Sequence, residues 1–200
     1  LRRVGIVGAR AAPPHVRTRV ERYAKQCTAE GEQVVSGAAV GVDTAAHLGA
    51  RNSGSVGVIP FGIEVERVGQ GQLPQHLILG DTGTIFCASL LRHGARARYV
   101  ARNQLLAALC DRLVVAYAAL RSGSMHTVRF SQQLGLPIEA WWEANDPPSN
   151  NGCRSLHRYN GPEQSNLRDL LKALQEAKGV LARLPKDESG SRSLALFELE

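Results

Sequence analysis

Short apolar runs alternate with helix-length segments along the first 142 residues, and this alternation limits the fold more than any other feature of the chain. Runs at 4–7, 33–35, 55–59, 113–117 and 138–142 read as strands, and 84–86 as a sixth. The strongest, 113–117, is apolar at every position, the pattern of a strand buried on both faces. Helix signals fill the gaps. Pro13-Pro14 opens one helix, and Gly31 ends it. Asp43 or Thr44 caps a second over 44–51. Arg102-Asn103-Gln104 opens a third that runs to 109. Ser122-Gly123-Ser124 turns into a fourth that stops near Gly135. Strands separated by crossover helices predict an α/β fold: a Rossmann-like, doubly wound, mostly parallel sheet flanked by helices.

This domain is expected over 1–145. Asn145 to Asn151 reads as a Pro/Asn/Ser linker. An amphipathic helix over 165–178 follows, with Leu167, Leu170, Leu171 and Leu174 at helical spacing, and then a flexible C-terminal tail completes 146–200. Residues 60–80 show no clear period and read as a loop. The opening residues are too short and glycine-rich for a signal peptide, and Leu1 in place of an initiator Met suggests a trimmed start. No apolar run reaches the roughly 18 residues of a membrane span. The four cysteines are scattered without a CxxC or Cys/His cluster, so no zinc site and a cytoplasmic address are expected.

Charge is uneven. Residues 1–130 carry 16 Lys and Arg against 8 Asp and Glu, whereas 131–200 carry 8 against 10. Of the 24 cations, 20 are arginine, a residue suited to bidentate phosphate contact and base stacking. A GC-rich genome would enrich arginine equally well, but the asymmetry favours a polyanionic partner.

The basic portion also holds three turns of the kind that bind anions, each running from a strand end into a helix. In open α/β sheets that edge presents free backbone N–H groups and the positive ends of helix dipoles. The first turn is Gly8-Ala9-Arg10, which lacks the full GxGxxG fingerprint of a dinucleotide site and alone could be an ordinary turn. The second runs from Ser36 to His47. Gly37 and Gly41 flank a tight loop able to form a nest for an anion, and Ser36 can donate a hydroxyl. Asp43 would repel a phosphate, so it is expected to cap the helix or bond back to the loop amides. The third is Arg121-Ser122-Gly123-Ser124, a phosphate cradle or a simple N-cap. Arg102 adds a cation, Asn103 a group that can read a base edge, and Tyr99 a ring that can stack on a base or merely pack.

Taken in order, these segments resemble the DNA-processing protein A (DprA/Smf) family of natural transformation and competence. That family carries a GSR turn, an SGxAxGID-xxAH segment, an RNR-IIA helix start and an RSG(A/S)xxT turn. Here they read Gly8-Ala9-Arg10, Ser36 to His47, Arg102-Asn103-Gln104-Leu105-Leu106-Ala107, and Arg121-Ser122-Gly123-Ser124-Met125-His126-Thr127. The likeness spans about residues 4–142, with a weaker echo at 153–158. It implies a non-catalytic recombination mediator that binds single-stranded DNA, loads RecA recombinase and forms a homodimer, without a cofactor. By the same resemblance Arg10, Ser36, Gly37, Arg102, Asn103, Arg121 and Ser122 line the DNA groove. The chain departs from the pattern at Ala9, Ala101 and Gln104, and no C-terminal winged helix is visible.

A second reading is a sensor or binder of a nucleotide-derived small ligand, which the same turns would satisfy. A phosphoribohydrolase is disfavoured. The stretch Gly80-Asp81-Thr82-Gly83-Thr84 lacks the paired glycines and glutamate such enzymes use, and no poised acid–base pair is evident.

Overall fold

The computed structural model describes residues 1–60, 83–87 and 96–159. Six strands form one sheet: β1 (Arg3–Gly8), β2 (Gln33–Ser36), β3 (Ser55–Ile59), β4 (Thr84–Cys87), β5 (Arg112–Tyr117) and β6 (Ile138–Ala140). Their order is β4-β3-β2-β1-β5-β6, and every pairing is parallel. The helices are α1 (Pro14–Ala29), α2 (Val42–Gly49), α3 (Arg96–Ala108), α4 (Ser124–Gln133) and α5 (Asn151–Tyr159).

Successive strand residues point to opposite faces, and this alternation splits the core in two. Val4 and Ile6 of β1 and Val114 and Ala116 of β5 pack with Val16, Val20 and Ala24 of α1 and Val42 and Ala46 of α2. Val7 of β1 and Leu113 and Val115 of β5 pack instead with Leu106 of α3, Val128 of α4 and Leu156 of α5. Helices thus cover both sides, which is why β3 and all but the first residue of β5 are buried or nearly so.

Glycines set the tightest approaches. A Cβ on Gly49 would stand 2.1 Å from the Glu21 carbonyl oxygen, so α2 can touch α1 only with glycine there. His47 of α2 is fully buried and shares a 2.8 Å hydrogen bond between Nδ1 and the Ser55 hydroxyl. Its Nε2 has no partner, and burial lowers its pKa to about 3.

Three expectations need correction. Helix α3 begins at Arg96 rather than 102, so Arg102 and Asn103 lie in its interior. Neither Asp43 nor Thr44 caps α2. Gly41, at φ +89°, occupies the N-cap position, because the chain enters the helix from a conformation a side chain resists. Finally, the stretch read as a linker folds. A short 3-10 turn at Pro148–Asn150 leads into α5, which buries Cys153 and Leu156, and the first compact unit runs Leu1–Arg158 rather than stopping at 145. Asn150 drives this. Its amide donates to the Trp141 carbonyl at 3.0 Å and the Asp146 carboxylate at 2.7 Å, and it accepts the Ala118 N–H at 2.9 Å. The helix expected at 165–178, the tail, and the loop at 61–80 lie outside the described residues. Among the described residues no helix is long and apolar enough to cross a membrane.

Candidate functional site

The strand order reverses at β1. Strands β2, β3 and β4 lie to one side, and β5 and β6 to the other. Loops leaving β1 and β5 therefore diverge to opposite faces and leave a crevice at the carboxyl ends of those strands. A cleft of about 420 Å³ occupies it. Gly8, Ala9 and Arg10 come from the β1 turn, Ala39 and Asp43 from the loop and start of α2, Tyr99, Arg102 and Asn103 from α3, and Ser122, Gly123, Ser124 and Thr127 from the β5–α4 turn and α4. Eight of the twelve residues singled out in the sequence thus meet in one place.

The turns come this close because side chains are missing where backbones cross. A Cβ on Gly8 would lie 2.5 Å from Cγ2 of Val42 and 2.9 Å from the Tyr117 carbonyl oxygen. A Cβ on Gly41 would lie 2.3 Å from the carbonyl oxygen of Arg10. Gly41 therefore shapes the Arg10 turn rather than lining the cleft.

Arg102 is not the open cation the sequence suggested. It is buried, and its Nη1 donates to the Gly37 carbonyl at 2.9 Å and stands 3.9 Å from Oδ2 of Asp43. Asp43 in turn accepts the Ala39 N–H at 3.2 Å, which is the bond back to the loop expected for it. Burial pushes the Asp43 carboxyl above its ordinary value against the pull of Arg102, and the same burial lowers the guanidinium of Arg102. The pair is a neutralised floor whose Nε remains without a partner. Gly37 matters for the room it leaves: a Cβ there would sit 1.5 Å from Nη1 of Arg102. Ser36 does not reach the cleft. It is fully buried and donates its hydroxyl to the Ile6 carbonyl at 2.7 Å, tying β2 to β1.

The open polar groups lie at the rim. Arg10 is exposed and forms no ion pair among the described residues. Helix α4 starts from Gly123 with no side-chain cap; the N–H groups of Met125 and His126 are taken by the Ser122 and Gly123 carbonyls, those of Gly123 and Ser124, which line the cleft, have no partner among the described residues, and the Ser122 hydroxyl is buried without a partner. Such a helix end attracts an anion. Asn103 braces the same turn by donating to the Gly123 carbonyl at 3.3 Å. Tyr99 is half-buried on the wall. Arg121 is exposed beside the turn but does not line the cleft. Thr127 and Ala39 do line it and were not singled out, although both fall inside the motifs quoted above. Among the described residues there is no cluster of His, Cys, Asp or Glu able to hold a metal. The thiols of Cys110 and Cys153 are buried, and burial raises both to about 12, so neither is a nucleophile near neutral pH.

The family model for DNA recombination-mediator protein A matches residues 1–175. The protein Smf of Borreliella burgdorferi is 27% identical over 187 residues, 92% of this chain and 58% of its own length. The DNA processing protein DprA of Streptococcus pneumoniae is 32% identical over 147 residues, 69% of this chain and 49% of that protein. Its X-ray structure superimposes with a TM-score of 0.68, covering 80% of this chain and 57% of that one. The DNA processing protein A of Helicobacter pylori, described for its single-stranded DNA binding mode, shares the fold with a TM-score of 0.67 at 23% identity, covering 86% and 81%. The chain spans about half the length of the curated relatives it matches.

Proposed function

The chain belongs to the DNA recombination-mediator protein A family, and we propose that it binds single-stranded DNA in the cleft at the strand-order reversal, without catalysing a reaction on it. The observation that carries this reading is the junction of Arg10, the uncapped start of α4 and the unpartnered Ser122 hydroxyl on one rim. Phosphate oxygens would satisfy all three groups at once. The floor beneath is apolar or neutralised by the Asp43–Arg102 pair, and Tyr99 offers a ring on which a base can stack. The DNA processing protein of the same fold whose single-stranded DNA binding is described points the same way.

The groups present among the described residues support the non-catalytic reading. Asp43, the carboxylate lining the cleft, is buried and committed to Arg102 and Ala39. His47, the buried imidazole of α2, faces Ser55 and does not line the cleft. A general acid or base needs reach as well as a suitable pKa. RecA loading and homodimer formation come from the family likeness and remain part of the proposal.

The size of the cleft favours a second reading. Its volume falls within the roughly 300–1,000 Å³ of small-ligand pockets, so a nucleotide-derived ligand would also fit. Titration of the full chain with labelled single-stranded and duplex DNA at two salt concentrations separates the two. DNA binding predicts preference for single strands, a log–log salt slope of about −0.7 per phosphate contacted, and weakening by Arg10→Ala. Saturable binding of a mononucleotide with no DNA affinity would favour the small ligand.

A further inference from the structure

A basic groove runs between α1 and α2 and starts beside the Arg10 turn. Two adjoining hollows of about 230 and 700 Å³ share Thr18, Glu21 and Leu48 along this groove. The upper hollow is lined by Gly41, whose backbone lies against the Arg10 carbonyl, and Arg10 is on the rim of the cleft. The lower hollow ends at Arg51, Asn52 and Ser53, beyond the far end of α2. Among the described residues, four exposed cations, Arg17, Arg22, Lys25 and Arg51, line this path against a single carboxylate, Glu21.

A solvated helix face usually balances its charges. Here Arg17 and Lys25 each stand four residues from Glu21, the spacing at which opposite charges pair, yet none of the four cations forms an ion pair among the described residues. Helix α1 also has no acidic residue in its first turn, where the dipole favours one. Arg19, on the same helix, is excluded from the set because it stacks over Trp141 and pairs with Glu143. The groove exists because Gly49 lets the two helices touch beneath it. From Arg17 to Lys25 the cations advance about 12 Å along the helix, enough to follow a backbone rather than grip one phosphate. Asn52 and Ser53, both exposed, add neutral polar groups at its lower end.

We propose that this groove is a second nucleic-acid contact: a strand held in the cleft continues past Arg10 and lays its phosphates along Arg17, Arg22, Lys25 and Arg51. The inference rests on the single-stranded DNA reading of the cleft and extends it to the path of the strand. It sets a length dependence. A short oligonucleotide fills the cleft alone, while a longer one also engages the groove.

The experiment compares a labelled 6-nucleotide and a 20-nucleotide single strand on the full chain, as wild type, as the triple variant Arg22→Ala/Lys25→Ala/Arg51→Ala, and as Arg10→Ala. Circular-dichroism melts check the fold, since all the changed side chains are exposed. The triple variant is expected to bind the 6-mer as wild type does, but to lose about tenfold or more on the 20-mer at low salt, with a salt slope shallower by about 2. Glu21→Gln is expected to tighten the 20-mer only. Unchanged 20-mer affinity and slope in the triple variant would overturn the groove, while an effect of Arg10→Ala in the same assay would keep the cleft. Equal losses on both lengths would also overturn it, because they would report general attraction rather than a path. Loss on the 20-mer with no effect of Arg10→Ala would overturn both the cleft reading and the proposed path, because the strand would then reach the groove without passing the cleft rim.

Discussion

Replacing Gly37 by alanine tests whether the cleft is built around a buried ion pair. The added Cβ would fall 1.5 Å from Nη1 of Arg102 and 2.7 Å from Oδ2 of Asp43. The first distance is far inside van der Waals contact and cannot be relieved by shifts of a few tenths of an ångström. The guanidinium must leave, losing its 2.9 Å bond to the Gly37 carbonyl and stranding Asp43, whose side chain is 8% exposed. Breaking a buried pair from one side costs about 3–5 kcal/mol, a large share of the roughly 5–15 kcal/mol that holds a domain together. At this chain length that corresponds to a drop in Tm of roughly 6–20 °C. Urea denaturation followed by both fluorescence and circular dichroism reads the loss. The decisive comparison is with Arg102→Met and with the double variant. If the clash with Arg102 is the whole cause, adding Gly37→Ala to Arg102→Met costs little more, and the two losses are strongly non-additive. A loss below about 1 kcal/mol, or additive losses, would refute the account of why glycine stands at 37.

Three further outcomes follow from the same geometry. Arg102→Met leaves Asp43 as a buried carboxylate with no cation, so the folded state prefers it protonated and stability falls as pH rises above the unfolded carboxylate value of about 3.9; its deficit against wild type, measured by denaturation at several pH values, should be largest near pH 7 and shrink toward pH 4. His47 is held at about 3 in the fold, against about 6.5 unfolded, so the unfolded state binds the extra proton between those values and stability is lost as pH falls through that window, about 2 kcal/mol by pH 5; His47→Gln should flatten that limb of the pH–stability curve. Asn150→Ala leaves the Ala118 N–H and Trp141 carbonyl without their partner at about 1–3 kcal/mol each, so it should destabilise by roughly 2–6 kcal/mol in thermal or urea melts, whereas Asn145→Ala, at an exposed position nearby, should cost much less.

Much of the sheet was legible because its strands are apolar runs bounded by turn residues. Residues 55–59 and 113–117 carry that signal without competition, and the structure has β3 at Ser55–Ile59 and β5 at Arg112–Tyr117. The start of α3 was harder. Arg96 to Ala101 offers neither a cap residue nor an apolar stripe, so the helix came into view only at Arg102. At 145–151 the Pro/Asn/Ser composition signalled a linker, and it was Asn150, reaching across to Ala118, Trp141 and Asp146, that made the segment part of the core. In the cleft, the turns that face each other were visible, but the state of their side chains was not. Arg102 looks like a free cation until Asp43, 59 positions earlier, is brought beside it. Ser36 looks like a free donor until its hydroxyl is seen to donate to the Ile6 carbonyl. Which groups are already spent depends on long-range neighbours, and no local pattern encodes that.

The three-way grip of Asn150 has a topological consequence. It joins the exits of two neighbouring strands, β5 at Ala118 and β6 at Trp141, to the turn that leads into α5, and Ser149, Asn151 and Gly152 add hydrogen bonds to Tyr117, Leu120 and Ala118, so this margin of the sheet is fastened by one short segment rather than by another strand. Parallel edges ordinarily gain such protection from extra pairing or a long cover. Here it is vested in the four residues 149–152 and the helical turn they begin, so strain applied at that margin should first detach the short β6 and leave the Arg10 side of the molecule intact.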